Sequence, residues 1–464
     1  MFINTDPNFI VMLPLTKIIC TIGPSCSSAS KIEELYTEGL NVARINFSHG
    51  DYEQHKKIIE NIRKVNNKYP DRKIGIGLDT KGPELRIKIQ KEINVVKGDY
   101  LFIKNTPDIY TADEIFVDVS FSGFNGKKIF IDDGIFEMRV ESVSENTIVA
   151  IAESDYTIKN NKRISMAGVK ILEQYPTESD ISDIKFGLLE NVDYLFLSFV
   201  NSVEDVKKIK EIFVNEKVGV TPLLVPKIET LAALNNIKEI LSVADGIMIA
   251  RGDLAVEIGF ENLFSAQKII SEECRKANKF FIVATQMIES MKNNLTPMRA
   301  EIMDIGNAVL DGCSAVMTSA ETAMGCFPVQ TVKMIRKILL NAENYMLTTE
   351  TADGQVKDAY ETPDSTNENS AVILFCTSKK CLPKTIKTYG NKKIFVITQN
   401  DNFLRCCAVF KGVFSINSCL TYDECLTNKD KLNEIKNIVE KECGSIKKLI
   451  LINSTVKDYR MAIL

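Results

Sequence analysis

Tryptophan is absent from this chain of 464 residues, and histidine occurs only twice, at His49 and His55. The missing indole, set beside abundant Lys, Asn and Ile, reflects nucleotide bias more than function. Both histidines follow one apolar run. A two-histidine metal site is one reading there. The other places His55 on a solvated helix beside Lys56 and Lys57, and leaves His49 at a strand end, with or without a role. Paired cysteine motifs are also missing. Among 12 cysteines there is no C-x-x-C; Cys406 and Cys407 are adjacent, and Cys376 and Cys381 are too loosely spaced for a zinc knuckle. This pattern reads as reduced thiols in a cytoplasmic protein. No window approaches the roughly 20 apolar residues that span a bilayer. The N-terminal stretch carries Asp6 and Pro7 and no basic region, so no signal peptide is expected. A net charge of -4 gives no reason to expect nucleic acid or an anionic membrane as partner.

What is present is ordinary for a soluble globular protein: 45% hydrophobic and 25% charged residues. The length suggests roughly two to four domains. About eight short apolar runs have the length and β-branched content of buried parallel strands. They are Lys17 to Ile22, Val42 to Phe47, Ile74 to Leu78, Tyr194 to Val200, Pro222 to Pro226, Gly246 to Ala250, Phe280 to Ala284 and Ala315 to Thr318. Helix-period segments lie between most of them: Glu53 to Lys68, Val203 to Phe213, Leu231 to Leu241, Asn262 to Asn278 and Glu301 to Leu310. Repeated β-α units near eight in number predict an α/β fold, a closed (β/α)8 TIM barrel.

One gap breaks the rhythm. The chain between Leu78 and Tyr194 is far longer than a βα loop requires. It holds strand-like runs at Lys128 to Ile131, Phe136 to Val140 and Thr147 to Ile151, with turn signals at Lys97-Gly98-Asp99, Asn125-Gly126 and Asp132-Asp133-Gly134. This predicts a small β-barrel domain inserted at the catalytic face, able to close over a substrate. Beyond a linker at Tyr360 to Asn369, further strands at Ala371 to Cys376, Lys393 to Ile397 and Lys448 to Ile452 predict a C-terminal α/β domain. The expected boundaries are 1–83 for the first part of the barrel, 84–170 for the inserted lid, 171–355 for the rest of the barrel and 356–464 for the C-terminal domain.

The carboxyl ends of the runs are polar, and that is where barrel enzymes place their chemistry. Arg44 and Asn46 lie at the end of the second, and Ser48 and His49 follow it. Asp79, Thr80, Glu84 and Arg86 follow the third. Lys227 and Glu229 follow the fifth, and Arg251-Gly252-Asp253 the sixth. Thr285 follows the seventh and Ser319 the eighth. Taken singly, each has a bland reading: a helix cap for Ser319 or Thr285, a surface ion pair for Lys227 and Glu229. Converging on one rim, they favour function. Glu229 and Asp253 are hard oxygen donors suited to Mg2+. Asn46, Ser48, Asp79 and Thr80 suit a monovalent cation. Lys227, Arg44 and Arg86 suit a transferring phosphoryl group.

Seven segments closely resemble pyruvate kinase: Thr16 to Pro24, Asn41 to Gly50, Leu78 to Arg86, Pro226 to Glu229, Asp245 to Leu254, Ala284 to Met291 and Ser319 to Ala323. The resemblance covers roughly Leu15 to Ala342. It implies a barrel, an inserted lid and a C-terminal effector domain, and transfer of the phosphoryl group of phosphoenolpyruvate to ADP, giving pyruvate and ATP. It further implies Lys227 as the charge on the phosphoryl transition state, with Glu229 and Asp253 as ligands of Mg2+ (or Mn2+). Asn46, Ser48, Asp79 and Thr80 become ligands of K+. Arg44, Lys227, Gly252, Asp253 and Thr285 become contacts of phosphoenolpyruvate or pyruvate. Asn46, His49, Arg86 and Lys162 face the nucleotide, and Thr285 and Ser319 serve water-mediated protonation. Glu84 matches the members that require K+. A cytoplasmic homotetramer is implied as well.

The chain departs from the family pattern in places. The lid hinge reads Lys162-Arg163-Ile164-Ser165-Met166-Ala167-Gly168, with Arg163 where glycine is usual and Ala167 where proline is usual. Ala320 replaces a glycine, Met324 a lysine and Met298 a threonine. In the C-terminal region Thr377-Ser378-Lys379-Lys380 is either a remnant phosphate loop or a plain helix cap, and no Gly-rich loop follows near the end. Weak or absent activation by fructose 1,6-bisphosphate is expected. Two other readings stay open: a Mg2+-dependent barrel lyase acting on phosphoenolpyruvate or an oxoacid, and a catalytically weak or regulatory paralogue.

Overall fold

The computed structural model describes residues 13–106, 111, 113–132, 134–166, 175–352, 370–376, 381–389, 392–443, 446, 448–454 and 459–464. The expected linker, the Thr377–Lys380 loop, and Ala167 and Gly168 of the hinge lie outside the described residues.

Eight parallel strands form the barrel: β1 (Lys17–Thr21), β2 (Leu40–Asn46), β3 (Gly75–Asp79), β4 (Tyr194–Leu197), β5 (Leu223–Ile228), β6 (Gly246–Ala250), β7 (Phe280–Ala284) and β8 (Ala315–Thr318). Their order around the closed sheet is β1-β8-β7-β6-β5-β4-β3-β2, so chain neighbours are sheet neighbours throughout. Every residue of β1, β3, β6 and β7 is buried, as strands covered on both faces must be. The eight expected runs are these eight strands. The main difference is at β5, which continues through Pro226 and Lys227 to Ile228. Lys227 is therefore a strand residue with a fixed direction, not a loop residue.

The helices begin where the sequence offers caps. Ser28 accepts from Lys31 N–H to open Ala29–Glu38, and Asp51 accepts from Gln54 N–H to open Tyr52–Lys68. Ser202 and Asp205 form a reciprocal box at the start of Val203–Asn215. The single helix expected from Leu231 to Leu241 is two, Leu231–Asn235 and Ile237–Val243. Asn236 stands at the break, its side-chain amide donating to the Asn201 carbonyl at 2.8 Å.

The strands are shared between two compact units. One holds the stretch ending at Leu78, Glu190–Tyr194 and Cys274–Leu464; the other holds Asp79–Leu189 and Leu195–Glu273. Within the second unit the inserted segment forms a six-stranded sheet, with Tyr100–Lys104, Lys128–Ile131, Phe136–Val143 and Thr147–Ala152 as its longer strands. A two-stranded ladder joins Ile93–Val95 to Tyr156–Ile158. Both sheets feed one core, which includes Ile93, Ile103, Ile129, Phe136, Met138 and Ile158.

Within the first unit, the C-terminal region forms a five-stranded sheet. β9 (Ser370–Phe375) lies at its centre, between β10 (Lys393–Thr398) and β12 (Lys448–Ser454). β11 (Val413–Asn417) and the antiparallel β13 (Tyr459–Ile463) take the edges. Buried polar contacts tie this region to the barrel strands of the same unit. Arg405 Nε donates to Asp193 at 2.9 Å, and the Tyr194 hydroxyl reaches the Arg405 carbonyl at 2.8 Å.

Candidate active site

Lys227 and Glu229 are two positions apart at the end of β5, a spacing that sends both side chains to one face. The Lys227 ammonium donates to Ser198 Oγ at 2.7 Å and to Asp79 Oδ1 at 3.0 Å, and lies 3.1 Å from Glu229 Oε1. All three of its N–H directions thus have an acceptor. Lys227 is 9% exposed, Asp79 1% and Glu229 2%. A charged group this buried is held only by such partners. Glu229 also accepts the Phe199 N–H at 2.7 Å. Burial pushes the Glu229 carboxyl up, against the pull of Lys227 and with a push from Asp253. Phe199 has φ +54°, a conformation unusual for a bulky side chain, and it aims that N–H at the carboxylate.

Asp253 stands in the first turn of Arg251–Ile258, directly after β6, with Gly252 exposed beside it. The Arg163 guanidinium from the lid root forms an ion pair with Asp253 Oδ1. Among Asp79, Glu229, Asp253, Lys227 and Arg163 there are three carboxylates and two cations, an excess of one negative charge. Oxygen donors with surplus negative charge fit a divalent cation of the Mg2+ type, which needs only one or two carboxylates beside substrate oxygens and water. No cluster of three or more His, Cys, Asp or Glu placed to hold a metal ion is found among the described residues.

The lid contributes two more groups. Lys162 Nζ bonds both Asp132 oxygens at 2.8 Å, and the Tyr156 hydroxyl donates to Asp132 Oδ2 at 2.7 Å. Burial alone would raise the Asp132 carboxyl; Lys162 and Tyr156 hold it below its ordinary value. Arg86 is clamped by Glu84 Oε2 at 2.6 Å and by the Asn161 carbonyl at 3.0 Å.

The first unit carries its own polar set at strand ends. Arg44, 8% exposed, donates to Thr21 Oγ1 at 2.7 Å, and that hydroxyl donates to the Thr318 carbonyl at 2.7 Å. Asn46 Oδ1 accepts the Ser48 N–H at 3.2 Å, which shapes the turn after β2. His49 is exposed. His55 is buried and stacks on Phe47 with ring centroids 4.1 Å apart. The solvated-helix reading of His55 therefore fails. Its ring fills space under the β2 turn, and burial lowers its basicity. Thr285 takes φ +70°, an outlier for a β-branched residue, with Oγ1 on the Ala284 carbonyl at 2.6 Å. The Ser319 N–H donates to Glu321 Oε2 at 2.6 Å, and burial raises the Glu321 carboxyl.

The residue pattern missed Ser198, Thr21 and Glu321 as supporting groups. Ser198 lies within the fourth run, and nothing in the sequence tells that it meets Lys227. Asp79, expected to hold K+, also bonds Lys227.

The family model for the pyruvate kinase barrel domain matches residues 13–332. The chain belongs to the pyruvate kinase family. A pyruvate kinase of Encephalitozoon cuniculi is 39% identical over 407 residues, covering 87% of this chain and 91% of that protein. A pyruvate kinase of Staphylococcus epidermidis is 37% identical over 420 residues, covering 86% of this chain and 71% of that protein. A crystal structure of a pyruvate kinase from Cryptosporidium parvum superposes with a TM-score of 0.85 at 30% identity, covering 99% of this chain and 97% of that one. The expected resemblance and the expected fold class both hold, and the chain is an enzyme of the pyruvate kinase type, a phosphotransferase. Among the described residues, no helix is long and apolar enough to cross a membrane.

Proposed function

We propose that the chain transfers the phosphoryl group of phosphoenolpyruvate to ADP in the last step of glycolysis, with Mg2+ (or Mn2+) and K+ as cofactors. The observation that carries this reading is the Lys227 ammonium, buried and triply held at the end of β5. A divalent cation held by Glu229 and Asp253 would supply Lewis-acid polarisation of substrate oxygens, and a monovalent cation held by Asn46, Ser48, Asp79 and Thr80 would supply further positive charge.

The chain's own groups do the rest. Arg44, the Gly252 N–H and Thr285 bind the carboxylate and phosphate of phosphoenolpyruvate. Asn46, His49, Arg86 and Lys162 receive the diphosphate of ADP. The phosphorus–oxygen bond of phosphoenolpyruvate breaks as the bond to the terminal ADP oxygen forms, and Lys227 neutralises charge on the phosphoryl oxygens between them. Lys227 comes from a strand and is fixed by Asp79 and Ser198, so it needs little reorganisation during transfer. The enolate left behind takes a proton at its methylene carbon, delivered by a water that Thr285 and Ser319 orient. The lid, 84–170 in the proposed domain division, excludes bulk water while this occurs.

A homotetramer fits the surface of Arg299–Leu310. Met298 just before that helix, and Met303 and Leu310 within it, are 58%, 73% and 53% exposed, apolar side chains that a partner copy would cover. Sedimentation of the purified chain measures this directly. For the reaction, the protein is incubated with phosphoenolpyruvate, ADP and Mg2+, with and without K+, and ATP and pyruvate are followed. Equal amounts of both products, with a K+-dependent rate, are expected. Pyruvate without ATP would indicate a lyase, and neither product a regulatory paralogue.

A further inference from the structure

Among the described residues, Arg163 is the departure from the family pattern that touches the candidate cation site. Its backbone is fixed at the lid root: it bridges to Arg86, and its carbonyl accepts the Asp132 N–H at 3.0 Å. The side chain leaves the lid and ends on Asp253, with the guanidinium carbon 5.1 Å from the centre of the Phe199 ring. Phe199 is the residue whose N–H holds Glu229. The guanidinium therefore sits on Asp253, close enough to Glu229 for its charge to draw that carboxyl down. Its pairing is partly shielded from water, Arg163 being 17% and Asp253 26% exposed at their side chains. The lid leans on the helix that carries Asp253 and on the turn that follows it. Phe130 meets Phe260 edge-on at 6.1 Å, and the Cα of Gly134 comes so close to Val256 that a β-carbon there would lie 3.1 Å from Val256 Cγ2.

We propose that Arg163 is an internal competitor for the divalent cation: the guanidinium and the cation are alternative counter-charges for Asp253, so that cation binding unlatches the lid root from the end of β6. This rests on the reading of Glu229 and Asp253 as cation ligands. A guanidinium in the plane of a carboxylate occupies the approach that a cation at about 2.1 Å requires, and two like charges on one oxygen repel.

The test is Mn2+ binding to the full-length chain without substrates, followed by the electron paramagnetic resonance of free Mn2+, with Asp253→Asn as control. Arg163→Gly and Arg163→Gln are expected to bind Mn2+ about tenfold more tightly than the native chain, and Arg163→Lys to fall between. Hydrogen exchange gives a second readout. Mn2+ is expected to speed exchange around Phe260 in the native chain and to leave it unchanged in Arg163→Gly and Arg163→Gln. Equal affinity in native, Gly and Gln chains, with binding still lost in Asp253→Asn, overturns the competition and leaves the cation site standing. Binding indifferent to Asp253→Asn overturns the site and the competition together. Weaker Mn2+ binding in both Arg163 variants overturns it too, since Arg163 would then support the site.

Discussion

Replacing Lys227 by methionine separates the structural and the chemical duties of the ammonium. Methionine keeps the length of the stem and removes the charge. Structurally, Asp79 and Glu229 lose the cation 3.0 and 3.1 Å away while staying buried. Breaking a buried pair in this way costs about 3–5 kcal/mol. Part of that is recovered because Glu229, already pushed toward its neutral form by burial, can take up a proton. A divalent cation at saturating concentration should recover more, since it would supply the missing charge. Chemically nothing replaces the ammonium. A cation placed on a transferring phosphoryl group is worth about a thousandfold or more in rate, upward of ~4 kcal/mol of barrier. The variant should therefore unfold at lower denaturant without Mg2+ and move back toward the native midpoint with it. Its kcat/KM for ATP formation, measured with Mg2+ present, should remain about a thousandfold down. Urea unfolding and a coupled ATP assay on one preparation measure both. A folded Lys227→Met chain turning over within tenfold of the native rate would refute the assigned role. A stability loss that Mg2+ leaves untouched would refute the charge reasoning.

Three further outcomes are expected. Thr285→Gly relieves a left-handed β-branched residue, so the urea midpoint should rise by an amount equivalent to roughly 1 kcal/mol after the entropy cost of glycine, while ATP formation falls with the loss of Oγ1. Tyr194→Phe removes a hydroxyl shared by the carbonyls of Arg405 and Cys406 at 2.8 and 3.1 Å, which should cost about 1–3 kcal/mol of unfolding free energy with little effect on KM. Lys17 gives a pH signature. Burial pushes its ammonium from 10.5 down to about 7, so between those values the unfolded chain holds a proton that the folded chain has released. The contribution to stability therefore rises with pH across that window, by at most roughly 1.4 kcal/mol per unit, and is flat below it. The difference between native and Lys17→Met stability, measured from pH 7 to 9, should change with that sign; a constant difference would contradict the assignment.

Much of the fold was legible because parallel strands buried on both faces leave continuous apolar runs. β8 is bounded at the residues its run predicted, and β7 likewise. The strand-helix order then leaves little freedom, since a closed barrel of eight βα units places chain neighbours side by side. The donor types at the strand ends were also legible, because the composition of those ends is local. Other features were not. The split at Asn236 depends on a carbonyl of Asn201, far along the chain. The burial of His55 depends on Phe47 folding over it, while the flanking lysines point to solvent as their charge requires.

By itself the sequence determined the barrel, the inserted β segment, the C-terminal α/β region and the set of oxygen and cationic groups at the rim, since each follows from periodicity, turn residues or strand-end chemistry within a short window. Only the tertiary structure decided how those charges pair. Asp79 and Ser198, separated in sequence by more than a hundred residues, meet on Lys227. The hinge arginine, which in sequence was only a missing glycine, ends on Asp253. Residue types along a chain specify which charges exist. Which carboxylate neutralises which cation is set by burial and distance, and those exist only once the barrel and lid are folded.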